Sequence, residues 1–225
     1  MNTPLVKLCG LRSEADVAAA NAALPDFAGF VVEVPGKRRS ISLDQAVTLA
    51  RQLDPRIRPV GVFVDAPVEI VNRFLTSAPN AAAQLHGSED AAYIATLRSA
   101  AGLTPTRVDE PAQARIIQAF RVASIDDTLR AAASTADLVL LDSGQGSGQT
   151  FDWRLLTGFP RAFLLAGGLG PDNLAQAIEK ACGAAGAAFK GVDMSSSLET
   201  DGVKDAAKML AAVTVARSIE PLAPT

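Results

Sequence analysis

The sequence contains few of the residues that disulfide-rich and metal-binding proteins require. Its 225 residues include two cysteines, Cys9 and Cys182, and a single histidine, His86. Two cysteines cannot build a disulfide framework, and their scarcity is typical of a protein from a reducing compartment. A lone histidine without a cluster of cysteines or acids gives no metal-ligand spacing. We therefore expect no metal site.

The sequence also lacks long apolar runs and an excess of basic residues. No segment is long enough to span a bilayer, and the N-terminus has no basic start followed by an apolar stretch, as a signal peptide would have. Lysine and arginine total 21 against 24 acids, a formal net charge of −3, so we expect no general surface for nucleic acid or membrane. These absences predict a soluble cytoplasmic protein in which any phosphate is bound by a local group of residues.

Short apolar segments alternate with helical patterns from one end of the chain to the other. Segments with strand character occupy residues 5–9, 27–32, 59–64, 81–85, 115–122, 137–141, 162–166 and 189–192. Eight such segments with no clear hairpin signal predict parallel strands joined by helical crossovers. The turn after the first strand lacks the G-x-G-x-x-G motif of doubly wound sheets. We therefore predict an α/β fold, a single (β/α)8 TIM barrel that spans residues 1–225 as one domain.

The helical patterns carry start signals and apolar faces. Ser13 is predicted as the N-cap of the first helix, residues 42–45 as a capping box, and Pro171 as the first residue of the helix after the seventh strand. Residues 99–111 are predicted as a loop. The inward face of the closing helix, residues 203–217, is predicted to comprise Val203, Ala206, Ala207, Leu210 and Val213.

Two turns rich in glycine and serine follow the last two predicted strands. The first lies in LAGGLGPDN at residues 165–173 and contains Gly167 and Gly168; the second lies in GVDMSSS at 191–197 and contains Ser195 and Ser196. Glycines let backbone N–H groups approach an anion, and a following helix N-terminus adds partial positive charge. Consecutive turns of this kind bind phosphate at the C-terminal face of (β/α)8 barrels. The predicted ligand is therefore a small phosphorylated molecule.

Polar side chains lie around the ends of other predicted strands, where a barrel builds its active site. They are Cys9, Gln84, His86, Asp142 and Asp193. The position of Cys9 alone is more typical of a buried packing cysteine, but Lys7 lies on the same strand face and could favour a thiolate. Asp142 is either a turn residue that bonds its own backbone or a reactive carboxylate beside residues 144–150, a glycine-rich segment typical of a mobile lid. Cys182 is interpreted as a packing residue.

Several short motifs occur in a definite order at these strand ends. They are KLCGL at 7–11, GVF at 61–63, QLHG at 84–87, LDS at 141–143, FDW at 151–153, LAGGL at 165–169 and VD at 192–193, followed by Glu199, Gly202, Lys204 and Asp205. Each motif is weak by itself. Their combination over residues 7–205 resembles the phosphoribosylanthranilate isomerase family of tryptophan biosynthesis.

The resemblance implies an Amadori rearrangement of N-(5-phosphoribosyl)anthranilate to the corresponding 1-deoxyribulose phosphate. It implies that Asp142 is the general acid that opens the furanose ring and that Cys9 is the general base that removes the C2 proton. The arginine that contacts the anthranilate carboxylate is expected at Arg39 or at its neighbour Arg38, and no cofactor is implied. The further substrate contacts that we expect are those of Gln84, His86, Gly167, Gly168, Asp193, Ser195 and Ser196.

The sequence departs from the family pattern at two places. Ser197 stands where the family has glycine, which predicts either a negative φ angle or local strain. Its hydroxyl could offer a hydrogen-bond donor in return. Residues 33–40 also differ from the usual Ser-Pro-Arg of the family.

Other functions remain open at this stage. One is an isomerase that acts on a sugar with two phosphates, and another is a Schiff-base aldolase that uses Lys7 or Lys190. From a different class, the chain could be a phosphate-sugar-binding barrel that has lost catalysis. We expect the partner to be a small phosphorylated substrate and the chain to be a monomer or a weak homodimer.

Overall fold

Eight apolar segments form the parallel strands of a closed barrel. The structure, a computed structural model, describes residues 3–106, 110–142 and 152–219. The barrel strands, numbered β1–β8, are Leu5–Cys9, Phe27–Val32, Arg58–Phe63, Ala82–Leu85, Ile116–Arg121, Leu138–Asp142, Phe163–Ala166 and Phe189–Met194. Each strand pairs in parallel with the next, and β8 pairs with β1, which closes the sheet on itself. The predicted (β/α)8 barrel is confirmed.

The α-helices pack around this barrel. Among the described residues they are numbered α1–α7 and comprise Glu14–Ala23, Leu43–Ala50, Val68–Ser77, Ala91–Ala101, Ile125–Ala132, Leu174–Ala185 and Ala206–Ser218. None of these helices is long and apolar enough to cross a membrane. Between β6 and β7 the described chain contains a short 3₁₀ helix, Trp153–Leu156, which confirms the short helix expected near Trp153.

The predicted helix starts are partly confirmed. Ser13 and Ser42 cap α1 and α2, because the hydroxyl of each accepts a hydrogen bond from an N–H group in the first turn. The capping box at residues 42–45 is incomplete, since Gln45 donates its side-chain amide to the Arg12 carbonyl instead. Pro171 lies in a turn before α6, which begins at Leu174, so its prediction as the first helical residue is wrong.

The predicted inward face of the closing helix is largely wrong. Helix α7 buries Met209, Ala212, Val213 and Ala216. Ala206, Ala207 and Leu210 are exposed. Val203 is also exposed, and it lies in a short strand before the helix, which begins at Ala206 and not at residue 203 as predicted. The buried residues have helical spacing, as expected, but they lie on a different face of the helix from the predicted one. The helix is rich in alanine, and alanine suits both buried and exposed positions, so the sequence does not define the apolar face well.

The predicted loop at residues 99–111 is only partly a loop. Helix α4 continues to Ala101 and ends at Gly102, which has a left-handed φ of 62°. Glycine adopts that conformation without the steric cost that other residues meet, so it is a common helix terminator. Residues 107–109 lie outside the described residues, as does the glycine-rich segment at 144–150 for which a lid was predicted.

Strand alternation sorts the side chains into two apolar layers. One layer lies between the barrel and the helices and includes Val6, Leu8, Val139, Leu141 and Val192. The other fills the barrel interior and includes Phe27, Val60, Ile117, Leu138, Leu140 and Leu164. Successive residues of a strand point to opposite sides, so polar residues two positions beyond an interior residue also point inward. Near the C-terminal strand ends these are Cys9, Gln84, Asp142 and Asp193, and in the middle of β1 it is Lys7, which pairs with Asp193.

A short antiparallel hairpin follows β8 and was not predicted. Glu199–Thr200 pairs with Val203–Lys204, and the connecting residues Asp201 and Gly202 have φ angles of 51° and 80°. Asp-Gly is a strong hairpin signal because both residues tolerate positive φ. The expectation of a chain without hairpins overlooked this signal. Residues 199–204 are called the post-β8 hairpin below.

Candidate active site

A cavity of about 310 Å³ opens at the C-terminal ends of the barrel strands. This volume is within the range of pockets that hold small organic ligands. The lining includes all ten residues that the sequence predicted for the site: Cys9, Arg39, Gln84, His86, Asp142, Gly167, Gly168, Asp193, Ser195 and Ser196. The barrel therefore brings together residues that lie at, or follow, the C-terminal ends of six different strands.

Lys7 and Asp193 form a buried ion pair at the inner end of the cavity. Lys7 Nζ lies 2.8 Å from Asp193 Oδ1, and the lysine is completely buried. Burial acts to lower the pKa of Lys7, but the Asp193 carboxylate and the neighbouring Cys9 outweigh it and raise that pKa. Lys7 is therefore a charged and paired residue.

Cys9 lies at the end of β1 on the same side of the strand as Lys7. Burial raises the pKa of the Cys9 thiol, and although the Lys7 ammonium acts to lower it, the net shift is upward. Lys7 thus favours the thiolate in the direction expected, but burial outweighs it and leaves the pKa of Cys9 above its usual value. A Cβ atom on Gly29 would lie only 2.8 Å from Cys9 Sγ. The glycine at this position of β2 therefore avoids a steric clash with the thiol.

Gln84 and His86 present polar atoms from the end of β4. Gln84 is 2% exposed, and its Oε1 atom has no hydrogen-bond partner in the described part of the chain. Among the described residues, the Gln84 Nε2 atom makes a single long contact, 3.5 Å to His86 Nδ1. Because a buried polar atom without a partner is costly, a donor from a bound ligand would stabilise this site. Loss of water around the His86 ring lowers its pKa, although Asp142 opposes the shift.

Asp142 ends β6 and lines the cavity. Its carboxyl group is close enough to His86 and Asp193 to influence the pKa of both side chains. Strand β6 is separated from β1 by β7 and β8 in the barrel. The carboxyl group of Asp142 and the thiol of Cys9 therefore approach a ligand in the cavity from different directions.

The two glycine- and serine-rich turns lie against each other at the ends of β7 and β8. Gly167 and Gly168 have φ angles of 103° and 63°, a conformation in which glycine has no steric cost. A Cβ atom on Gly170 would lie 2.7 Å from Ser197 Cβ. The turns are therefore in direct contact, and both face the cavity, as a single anion site built from two loops requires.

Ser197 has an ordinary backbone conformation. It lies in the 3₁₀ helix Ser196–Leu198, and positive φ angles among the described non-glycine residues occur elsewhere. Its hydroxyl donates to the Leu169 carbonyl, and the hydroxyl of Ser195 donates to the Cys9 carbonyl at 3.1 Å. Both hydroxyls therefore donate to backbone carbonyls of neighbouring loops. The donors in this turn that are suited to an anion are instead the first backbone N–H groups of the 3₁₀ helix.

Glu199 binds three cationic side chains beside the cavity. It accepts hydrogen bonds from Arg39 Nε at 2.5 Å and Nη2 at 3.0 Å, and from Arg38 Nη2 at 2.5 Å. Lys204 Nζ lies 3.2 Å from the same carboxylate and also donates to the Ser195 carbonyl at 2.9 Å. Burial acts to raise the pKa of Glu199, but these cations outweigh it and lower the pKa to about 2.

Sequence reasoning named Glu199 and Lys204 only as motif residues and missed this ion network. The signal that could have found it is the Asp-Gly turn, since a hairpin there places residues 199 and 204 opposite each other. A glutamate and a lysine at directly opposite positions of two antiparallel strands attract each other and stabilise the hairpin. The basic run at residues 37–39 then supplies the remaining partners.

The region of the cavity carries more positive than negative charge. The cations are Lys7, Lys37, Arg38, Arg39 and Lys204, and the carboxylates are Asp142, Asp193 and Glu199. Even with all three acidic side chains counted as ionised, two positive charges are in excess, and this excess favours a ligand with more than one anionic group. In the described ranges, no group of three His, Cys, Asp or Glu side chains is arranged to hold a metal ion.

Comparison with known proteins identifies relatives over most of the chain. Residues 6–215 match the family described as N-(5'-phosphoribosyl)anthranilate (PRA) isomerase. The N-(5'-phosphoribosyl)anthranilate isomerase of Endomicrobium trichonymphae is 38% identical over 224 residues, which cover 96% of this chain and 100% of the relative. The protein of that name from Lacticaseibacillus casei strain BL23 is 40% identical over 205 residues, which cover 91% of this chain and 90% of the relative.

Solved structures agree with these sequence relatives. The phosphoribosyl anthranilate isomerase of Thermotoga maritima has a TM-score of 0.76 at 29% identity, with 96% of this chain and 100% of that chain covered. A phosphoribosyl anthranilate isomerase in complex with reduced 1-(o-carboxyphenylamino)-1-deoxyribulose 5-phosphate has a TM-score of 0.75 at 29% identity, with the same coverage. The chain described here belongs to the N-(5'-phosphoribosyl)anthranilate isomerase family.

Proposed function

We propose that this chain performs the reaction of its family with Asp142 as the general acid and Cys9 as the general base. The reaction is the Amadori rearrangement of N-(5-phosphoribosyl)anthranilate to 1-(2-carboxyphenylamino)-1-deoxyribulose 5-phosphate, the third step of tryptophan biosynthesis from chorismate. The observation that carries the assignment is that one carboxyl group and one thiol line different sides of a cavity that two glycine- and serine-rich turns and Arg39 also line.

The first step of the proposed mechanism opens the sugar ring. Asp142 donates a proton to the furanose ring oxygen as the bond between that oxygen and C1 breaks. The electron pair on the anthranilate nitrogen then forms a protonated imine with C1. The orphaned Oε1 of Gln84 is suited to accept a hydrogen bond from a sugar hydroxyl during this step.

The second step moves a proton from C2 of the sugar. The positive charge of the imine makes this proton acidic, and the Cys9 thiolate removes it to leave an enolamine. Transfer of a proton to C1 and loss of the C2 hydroxyl proton then give the ketone product. Because burial raises the pKa of Cys9, the thiolate is scarce at neutral pH but is a stronger base once formed. Lys7 and the cationic imine both favour it.

Two anchors hold the proposed substrate across the cavity. The phosphate lies at the turns that contain Gly167, Gly168, Ser195 and Ser196, and the anthranilate carboxylate lies at Arg39. Between them, the apolar side chains of Val31, Val62 and Val64 line the cavity and offer a surface for the aromatic ring. A substrate with an anionic group at each end matches both the shape and the positive charge of this site.

The structure disfavours the aldolase alternative. A Schiff-base lysine must be a neutral amine to attack a carbonyl, and such lysines have lowered pKa values. Lys7 has a raised pKa and is paired with Asp193, and Lys190 is not among the residues that line the cavity. The presence of both Cys9 and Asp142 likewise favours catalysis over simple binding.

The partner and the cellular location follow from this proposal. The partner is a small phosphorylated substrate, and the location is the cytoplasm, which suits the two free cysteines at Cys9 and Cys182. We propose a monomer or a weak homodimer; a related enzyme from Thermotoga maritima is described as dimeric.

Turnover of N-(5-phosphoribosyl)anthranilate, followed through the anthranilate chromophore, tests the proposed function. The wild-type chain is expected to convert the substrate, and Cys9→Ser is expected to lose nearly all turnover because a hydroxyl is a far weaker base. Cys182→Ser is the matched control, since Cys182 lies on α6 away from the cavity lining. A wild-type protein that binds the substrate without converting it would refute the catalytic assignment.

A further inference from the structure

We infer that Glu199 is a positioning residue that fixes Arg39 and leaves one edge of its guanidinium group for the substrate carboxylate. This inference rests on the proposed function, because it concerns how the same substrate is held. A guanidinium group has five N–H donors in a rigid plane, and these form two edges that can each hold a carboxylate with two hydrogen bonds. Glu199 takes one of those edges.

The contacts show which edge is taken. Arg39 Nε donates to Glu199 Oε1 at 2.5 Å and Arg39 Nη2 donates to Glu199 Oε2 at 3.0 Å. The Nε–Nη2 edge is therefore occupied. The Nη1 atom and the second N–H of Nη2 make no hydrogen bond to the described residues, and Arg39 lines the cavity. This second edge has the spacing that a carboxylate needs.

Burial favours Arg39 over Arg38 as the arginine assigned to the substrate. Arg38 donates from Nη2 to Glu199 at 2.5 Å and from Nη1 to the Gly202 carbonyl at 2.7 Å. These bonds hold it to the post-β8 hairpin, and half of its side chain is exposed to solvent. The side chain of Arg39 is only 26% exposed, so water competes less strongly there for a substrate carboxylate.

The post-β8 hairpin is held firmly enough for this role. Lys204 is almost fully buried and donates to both Glu199 and the Ser195 carbonyl, and Lys208 donates to the Glu199 carbonyl at 2.9 Å. On the opposite side, the Cδ atom of Arg39 lies against Gly10, where an added Cβ would approach it to 2.5 Å. The arginine is therefore fixed at its stem and at one edge of its guanidinium group.

Inhibitor binding to Glu199→Gln separates this role from a purely structural one. Glutamine keeps the size of the side chain but replaces one acceptor oxygen with a donor that opposes Arg39. Reduced 1-(o-carboxyphenylamino)-1-deoxyribulose 5-phosphate should bind roughly 10- to 100-fold more weakly. Ribulose 5-phosphate and inorganic phosphate, which lack the aromatic carboxylate, should bind as they do to the wild type. KM for the substrate should rise more than kcat falls.

Two further variants complete the experiment. Arg39→Lys keeps the charge, but an ammonium group has no second edge of paired donors, so this variant should show the same selective loss of affinity for the reduced product analogue. A variant that combines Arg39→Lys with Glu199→Gln should bind the analogue little more weakly than either single variant. Ser124→Ala removes the cap of α5, a helix that does not belong to the hairpin or the cavity lining; it should lower the melting temperature and leave KM unchanged.

The outcomes are distinguishable from a failure of the proposed function. A wild-type protein that neither binds the reduced product analogue nor converts the substrate overturns the proposed function itself. A wild-type protein that does both, with Glu199→Gln binding the analogue equally well, overturns only the role of Glu199. An equal loss of affinity for all three ligands would make Glu199 a general structural residue and also overturns the inference.

Discussion

Replacing Lys7 with methionine tests whether the buried ion pair controls the proton affinity of Cys9. The ammonium of Lys7 is fully buried and lies 2.8 Å from the Asp193 carboxylate. Its removal leaves a buried carboxylate without a counterion, which should lower the free energy of unfolding by about 3–5 kcal/mol. It also removes a positive charge that acts to lower the pKa of Cys9, so that pKa should rise further.

A higher pKa of Cys9 should shift the pH dependence of catalysis in one direction. The thiolate is the active base, and each unit by which its pKa rises lowers the thiolate fraction roughly tenfold at a given pH below the pKa. The acidic limb of kcat/KM for Lys7→Met should therefore move to higher pH. The rate of alkylation by iodoacetamide reports the thiolate directly, and a Cys182→Ser background restricts the reaction to Cys9. That alkylation profile should move in the same direction.

The Asp193→Asn variant provides a control of opposite sign. The Asp193 carboxylate acts to raise the pKa of Cys9, so its neutralisation should move the alkylation profile to lower pH. Thermal unfolding of both variants shows whether each protein is folded at the assay temperature. Profiles that shift in the same direction for both variants, or that do not shift at all, would refute the idea that this pair sets the proton affinity of Cys9.

Three further changes test other parts of the site. Asp142→Asn cannot donate an acidic proton, so kcat should fall by about 10²–10⁴-fold with little change in substrate affinity; a loss of only a few-fold would exclude Asp142 as the acid. Gly168→Asp places a charged side chain on a residue with a φ of 63°, and calorimetry should show much weaker binding of inorganic phosphate, unless the anion site lies elsewhere. Gly29→Ala puts a methyl group 2.8 Å from Cys9 Sγ, so kcat should fall by up to about 100-fold through displacement of the thiol. Unchanged kcat in that variant would mean that the thiol position is not critical.

The barrel could be predicted from the sequence because its periodicities are local. A buried parallel strand reads as a short apolar run, and the segment at residues 5–9 becomes β1 with the same bounds. Helix α7 shows the limit of this reasoning, since its many alanines suit either a buried or an exposed face. The face that packs inward is decided by Met209 and by the neighbouring elements, which no local pattern of alanines describes.

The residues that line the cavity could also be predicted, since the ends of parallel strands meet in a closed barrel. Their electrostatic state could not. Lys7 is two positions from Cys9 on β1, and spacing alone suggested that its charge favours a thiolate. Its carboxylate partner, Asp193, lies on β8; burial and this carboxylate together outweigh Lys7 and raise the pKa of the thiol.

The sequence by itself determined the order of strands and helices, the phosphate-type turns and the family pattern, because each depends on residues that are close together in the chain. Only the tertiary structure decided what each charged side chain contacts. Glu199 meets Arg38 and Arg39 across about 160 residues of chain, and this long-range pairing occupies one edge of the Arg39 guanidinium group. Hydrogen bonds and ion pairs act over a few ångströms of space, so their partners are known only once the barrel has closed.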